Sequence, residues 1–347
     1  MRGIEIERLR IAAAMLRGVE DFTSAAGIEF QSLANAVGLG PIDPDDENQF
    51  VNLDCFAKFL EISSILAGDD SHGLRMAVFQ KQVLSGPLSL AQLNAPTMRE
   101  ALVTMIKYIG TRVDLANMEL VVEGDTAAIE WAFSPLFVRR WQLLDFTAGT
   151  LVGRMSRILA QDWRPTTMGL TRPAPKNRDV HRQHLGRSLE YACGTNYIAF
   201  NASLLAVPIQ NADPVVYDIS TRLLNRMLED RNVSADFVTA IREEIIHGLS
   251  SEEGALLDRI ARRMGMSVRS LQRGLAEHGM TYQTLVDSTR KSLAVRYLED
   301  PGLTFSQIAY QLGFSAPSAF TRASYRWFGQ RPGAVRKSLR RGIQIQN

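Results

Sequence analysis

Ala255-Leu-Leu-Asp-Arg-Ile-Ala-Arg-Arg-Met-Gly-Met-Ser-Val-Arg-Ser-Leu-Gln-Arg-Gly-Leu275 is the stretch on which the reading of this chain turns. Leu256, Leu257, Ile260 and Met264 recur at helical spacing and form one apolar stripe. Ala261 is small where a second helix would cross closely, and Gly265 can take the positive φ that ends a helix sharply. Ser267 can then cap a second helix that buries Val268, Leu271 and Leu275. Arg269, Gln272 and Arg273 fall on its opposite face. A helix anchored on one side and carrying forked donors on the other suits the major groove of DNA. Arg matches the two acceptors of guanine, and Gln matches the donor and acceptor of adenine.

The plan recurs downstream in Phe305-Ser-Gln-Ile-Ala-Tyr-Gln-Leu-Gly-Phe-Ser-Ala-Pro-Ser-Ala-Phe-Thr-Arg322. Ile260-Ala261 returns as Ile308-Ala309, Gly265 as Gly313, and Arg273 as Arg322 after a single inserted residue. Thr304 with Gln307 predicts a capping box, and Ser315 is expected to cap the following helix, whose first turn tolerates Pro317. Pro317, Ser318, Thr321 and Arg322 would face outward there. This row has fewer long donors, so it predicts more backbone contact and less base readout. Between the repeats, Tyr282, Leu285, Val286, Leu293, Ala294, Tyr297 and Leu298 keep helical spacing up to Asp300-Pro301. A stiff helix of that kind could set both outward rows into successive major grooves, roughly 34 Å apart. Ser267, Arg290, Arg326, Arg331, Arg336 and Lys337 are the expected DNA-backbone contacts, with Lys291, Arg296, Arg340 and Arg341 as further cations.

Charge agrees with a polyanion at this end. From Glu252 to Asn347 there are 15 Lys/Arg against 7 Asp/Glu, whereas the preceding residues hold 24 against 30. At 347 residues the chain is long for one core. No apolar run approaches the ~20 residues that span a bilayer, and the N-terminus lacks a signal-peptide layout. Cys55 and Cys193 are the only cysteines, which implies no disulfide framework and fits a reducing cytoplasm.

Upstream, Ile4, Leu9, Ile11, Ala12, Met15, Leu16 and Val19 predict an amphipathic N-terminal helix, and the first ~115 residues read as mainly helical. Thr97 with Glu100 suggests a cap for a helix over Met98 to Tyr108. Gly124-Asp125 divides two alternating runs into a hairpin, and Trp141 to Leu159 returns to helical spacing. Thr166 to Thr171 and Asn196 to Phe200 predict short strands around a helix from His181 to Cys193. Asp213 should cap a helix that starts at Pro214, followed by a second from about Ala235 to Leu249. These two helices suit either a linker or a dimer contact.

Catalytic signatures are missing: the chain has no phosphate-binding loop, no dinucleotide fingerprint and no nucleophile elbow. His181, His184 and Cys193 lack the spacing of a metal site and read as satisfied or surface side chains. Cys55 reads as a small buried hydrophobe, and Glu243-Glu244 as a solvated helix face. Trp131, Phe133, Phe137, Trp141 and Phe146 read as core, with an effector pocket as the alternative.

Leu271-Gln-Arg273, Ala294-x-x-Tyr297-Leu298, Ile308-Ala309, Leu312-Gly-Phe314, Ser318-x-Phe320-x-Arg322, Arg326-Trp-Phe-Gly329 and Pro332 together resemble the DNA-binding domain of the AraC/XylS family of transcription regulators. By that resemblance Arg269, Gln272, Arg273, Pro317, Ser318, Thr321 and Arg322 occupy base-contacting positions. The chain departs from the family at Ala323-Ser324-Tyr325, where a buried Phe commonly stands at the central position, and at Arg331-Pro332, where Ser-Pro is common. Ser85-Gly-Pro-Leu88, Thr97-x-x-Glu100-Ala-Leu102, Phe200, Leu204-Leu205 and Pro208 resemble the arabinose-binding-type sensor domain of one branch of that family.

The resemblance implies a multidomain chain. Residues 1–208 would form an α+β effector-binding and dimerisation domain, 209–250 a helical linker, and 251–347 an all-α tandem helix-turn-helix domain. It implies a cytoplasmic, non-enzymatic regulator without cofactor, metal or catalytic residues. Its partners would be double-stranded promoter DNA, a small-molecule effector of unknown identity, a second copy of the chain, and RNA polymerase if it is an activator. A helical adaptor whose tandem units bind protein is the competing reading.

Overall fold

The computed structural model describes residues 9–80, 86–114, 117–133, 140–234, 237–250, 254–300 and 302–344, the side chains of 230–234, 239, 250 and 340–344 excepted. The chain divides into two compact units, one closing at Asn232 and one running from Val233 onward.

The first unit opens with β1 (Arg10–Ala12), α1 (Val19–Ala25), α2 (Phe30–Ala36), β2 (Phe50–Asn52), α3 (Leu53–Ala67), α4 (His72–Phe79), α5 (Gly86–Leu93) and α6 (Met98–Tyr108). It continues through β3 (Asn117–Glu123), β4 (Thr126–Ala132), α7 (Trp141–Ile158), β5 (Thr167–Leu170), α8 (Asp179–Leu185), β6 (Leu189–Tyr191), β7 (Asn196–Asn201) and α9 (Pro214–Ser234). One sheet has five strands in the order β3-β4-β7-β5-β6, with β5 and β6 parallel and the other pairs antiparallel. This is the expected α+β architecture. The β3–β4 hairpin turns at Gly124-Asp125, with Glu123 opposite Thr126 and Gly124 at φ 57°. Asp213 accepts from the amides of Val215 and Val216 at 2.8 and 3.3 Å, so it caps α9 as its sequence position suggests.

Three local expectations change. Ile11 and Ala12 lie in β1, because their strand pairs with β2 and the Ala12 amide donates to the Arg112 carbonyl; a 3-10 turn over Ala13–Leu16, which holds Met15 and Leu16, then leads to α1. Ile4 lies outside the described residues. Helix α8 ends at Gly186, whose φ of 104° breaks the helix, and the residues after it become β6 rather than more helix. The Thr97 hydroxyl bonds the Glu100 carboxylate and caps no amide.

The second unit is helical throughout its described residues: α10 (Phe237–Ser250), α11 (Leu257–Arg263), α12 (Val268–Glu277), α13 (Tyr282–Glu299), α14 (Phe305–Gln311), α15 (Pro317–Phe328) and α16 (Pro332–Gln344). Helix α10 is no loose tether. Its Val238, Ile241, Ile245, Ile246 and Leu249 are buried, and it packs on α11 and α13. Helix α9 belongs to the first unit as far as Asn232, where Tyr217 bonds Thr104 at 3.0 Å and Asn225 accepts from Tyr108 at 2.7 Å.

Candidate nucleic-acid interface

Each recognition element is built from local signals. Helix α11 stops at Met264, Gly265 sits at φ 65°, and the Met266 amide returns to the Ala261 carbonyl at 2.9 Å. The Ser267 side chain accepts from the Ser270 amide at 3.1 Å and starts α12. Leu271 and Leu275 are fully buried, each contributing about 1.5–3 kcal/mol by leaving water. Arg269, Gln272 and Arg273 are exposed on the other side, with Arg273 4.0 Å from Glu277 on the same helix. Two expected core positions differ. Leu256 is exposed because it is the residue before α11 begins, and Val268 is exposed in the first turn of α12.

The second element repeats the device. Thr304 and Gln307 form the capping box, with reciprocal bonds of 2.9 and 3.2 Å, and Gly313 at φ 67° ends the turn after α14. Ala316, not Ser315, is the cap position of α15; it offers no side-chain bond, and Pro317 occupies the first turn. Ser318 and Arg322 are exposed, whereas Pro317 and Thr321 are half-buried, and the Thr321 hydroxyl is used on the Pro317 carbonyl at 3.1 Å. Ser324 is fully buried, and its hydroxyl donates to the Gln330 carbonyl at 2.9 Å. That bond satisfies the polar group and ties the α15–α16 turn, while Tyr325 points to solvent. Trp327 Nε1 donates to Asp287 of α13 at 2.8 Å, fastening α15 to the central helix.

Helix α13 has 18 residues, about 27 Å at the helical rise, and begins with a Thr281–Thr284 capping box. Tyr282 donates to the Ala255 carbonyl at 3.0 Å, and its burial pushes the phenol up to about 12. Among the expected phosphate contacts, Ser267, Arg331 and Lys337 are exposed, and Arg326 is exposed while pairing with Asp287. Arg290 and Arg336 are placed differently. Arg290 donates to the Leu312 and Gly313 carbonyls at 2.9 and 3.1 Å and covers the Phe314 ring. Burial lowers its basicity. Arg336 donates to the carbonyls of Leu298 and Leu303 at 3.1 and 2.7 Å and covers Phe305. Both act as clamps on chain turns that lack their own partners.

In the first unit, His181 is fully buried; its Nε2 lies 3.1 Å from Asp145 and its Nδ1 3.3 Å from Ser71. Arg172 is buried with them, pairing with Asp145 and reaching Asp70 at 3.2 Å. Sequence reasoning missed this ionic cluster, since its members are far apart in the chain. Trp131 and Phe146 are core, half-buried Phe133 lines a cavity together with Phe146, and Phe137 lies outside the described residues. Cys55 is half-buried rather than buried.

Comparison with known proteins agrees with this division. A family model described as the arabinose-binding domain of AraC transcription regulators matches residues 27–209, and a helix-turn-helix domain model matches 260–338. The HTH-type transcriptional regulator VirS of Mycobacterium tuberculosis is 29% identical over 339 residues, covering 94% of this chain and 96% of that protein. The ornithine utilization regulator of Pseudomonas aeruginosa is 24% identical over 331 residues, with 94% and 96% covered. Among solved structures, the transcriptional regulator CdpR from Pseudomonas aeruginosa aligns at 20% identity over 89% of this chain and 97% of that one, with a TM-score of 0.43. The chain therefore belongs to the AraC family of DNA-binding transcription regulators, in the branch with an arabinose-binding-type N-terminal domain.

Proposed function

We propose that this regulator reads its operator through α12 and α15 and answers to a small molecule held in its first unit. One observation carries the groove assignment. Arg269, Gln272 and Arg273 are exposed on a helix whose far side, Leu271 and Leu275, is locked in the core. Such a row presents base-matching donors without unfolding anything. Ser318 and Arg322, with Pro317 and Thr321 beside them, supply a weaker second reading. Ser267, Arg326, Arg331 and Lys337 supply phosphate contacts. Residues 1–208 form the sensor on this reading, and 251–347, joined by α10, form the DNA-binding body.

The chain acts as a dimer in this proposal. Val215, Ile219 and Leu223 are 64%, 61% and 45% exposed and recur every fourth residue along α9, an apolar stripe suited to a second copy of the same helix. RNA polymerase is the further partner if the output is activation, and the cytoplasm the compartment. No described helix is long and apolar enough to cross a membrane.

Selection of bound duplexes from a random DNA pool by the full chain tests this reading. The expected result is one enriched motif, bound about 10³-fold or more tightly than random sequence and weakening steeply with salt. Equal affinity for all sequences, or none for any, would sink it in favour of a protein-binding adaptor.

A further inference from the structure

Helix α7 lays Thr147, Thr150 and Arg154 along one wall of a cavity in the first unit. Ile11, Met105, Met118, Phe133, Phe146 and Leu151 are among the apolar side chains that complete the wall. Among the described lining residues, Arg154 is the one that is charged. The Thr147 and Thr150 hydroxyls donate backward to the Leu143 and Phe146 carbonyls, both at 2.8 Å, so neither offers its proton to the cavity. Among the described lining residues the guanidinium of Arg154 is therefore the remaining polar donor.

That guanidinium is poorly compensated. Arg154 is 7% exposed, and its pKa is lowered to about 10 by burial and then by the nearby Arg112, which leaves it a cation at neutral pH. Among the described residues it bonds the Gln92 carboxamide oxygen, a neutral acceptor, and no carboxylate pairs with it. Glu47 is engaged by Arg112 at 2.8 Å. A buried charge normally has a counter-ion, and one left without it is strongly unfavourable. A planar guanidinium fork also matches a carboxylate in two parallel bonds.

The geometry points to an apolar monocarboxylic acid as the ligand of this cavity, its carboxylate on Arg154 and its hydrocarbon body among Met105, Met118, Phe133 and Phe146. An apolar lining with a single convergent charge is the usual build of a small-molecule site. The assignment names the effector class of the sensor proposed above and rests on that reading for its regulatory meaning, though not for the binding itself.

Calorimetric titration of the full chain with octanoate, 3-phenylpropanoate, octan-1-ol and acetate tests it. One of the two larger acids should bind at least tenfold more tightly than octan-1-ol and than acetate; which of them leads tells an alkyl from an aryl body. Arg154→Met should weaken that acid at least tenfold and leave octan-1-ol unchanged, with Arg154→Lys in between. Equal affinities for the tighter of the two larger acids and octan-1-ol, equal affinities for that acid and acetate, or no heat from either larger acid would overturn the assignment. The wild-type comparison decides alone if Arg154→Met does not fold. DNA selection on the same preparation separates the two readings. A chain that enriches one operator but ignores both acids keeps its regulator role and loses this ligand; a chain that binds acid but prefers no DNA does the reverse.

Discussion

Phe237 of α10 lies against Gly274 of α12 so closely that a Cβ at 274 would stand 2.5 Å from the ring. The same ring stacks on His278 one turn further along, at 5.9 Å. Helix α10 thus serves as a floor for the first recognition helix. Gly274→Val should destabilise the full chain by about 1–3 kcal/mol in denaturant melts, the usual cost of overpacking. Adding Phe237→Ala should recover part of that loss; no recovery would show that the pair does not limit α12.

Base reading and phosphate binding should separate by substitution. Arg273→Ala is expected to lower affinity for the selected operator by about 1–3 kcal/mol and relax one base position. Lys337→Ala should weaken operator and random DNA alike and reduce the salt slope by about one. Fluorescence anisotropy across a salt series checks both, and equal losses on both DNAs for Arg273→Ala would remove that residue from the groove.

Arg290 gives a different signature from either. Replacing it with Met orphans the Leu312 and Gly313 carbonyls at the end of α14, so stability should fall by about 1–3 kcal/mol. A melt unchanged from wild type, with DNA affinity alone reduced, would instead return Arg290 to the phosphate-binding set.

The first unit carries a titrating carboxyl. Burial raises the Glu61 carboxyl from its ordinary 4.5 to about 7, while it accepts the Gln142 amide at 2.7 Å and faces Arg140, Arg172 and Asp145. The raised value means that the folded state holds the proton more tightly than the unfolded one. Its contribution is present below pH 4.5 and is lost as pH rises through about 7. Glu61→Gln keeps the acceptor without the charge. It should be the more stable protein above pH 7, by about 1–2 kcal/mol, and the gap should close toward pH 5. Thermal melts at both pH values measure it; parallel curves would refute the assignment.

Ile219→Glu places a charge in the middle of the α9 stripe. If that face joins two copies, light scattering should report a dimer for the wild type and at least a tenfold weaker one for the variant. A monomeric wild type would exclude the contact.

What the sequence disclosed is what single residues dictate locally. Gly265, Gly313, the Thr304–Gln307 box and Asp213 each act within four positions, and all stand where their chemistry requires. The opposite burial of Leu271 and Arg273 follows from spacing alone. What stayed hidden depends on partners distant in the chain. The three residues of β1 carry no strand signal apart from β2 and the Arg112 carbonyl. The Phe237–Gly274 contact spans 37 positions, and nothing in a stretch of basic residues separates Arg290, turned inward, from Lys337, turned outward. Nothing in the sequence around Arg154 marks it off from an exposed helix cation, because its burial comes from packing. Ser324, an apparent defect against the family pattern, is repaired by the Gln330 carbonyl, an acceptor that no motif contains.

The two recognition helices are unequal: α12 bears Arg269, Gln272 and Arg273, whereas α15 exposes Ser318 and Arg322. On the proposed docking this inequality would be written into the genome. Aligned operators would carry most of their information content in one half-site, with the other half drifting freely in sequence while its spacing stays fixed.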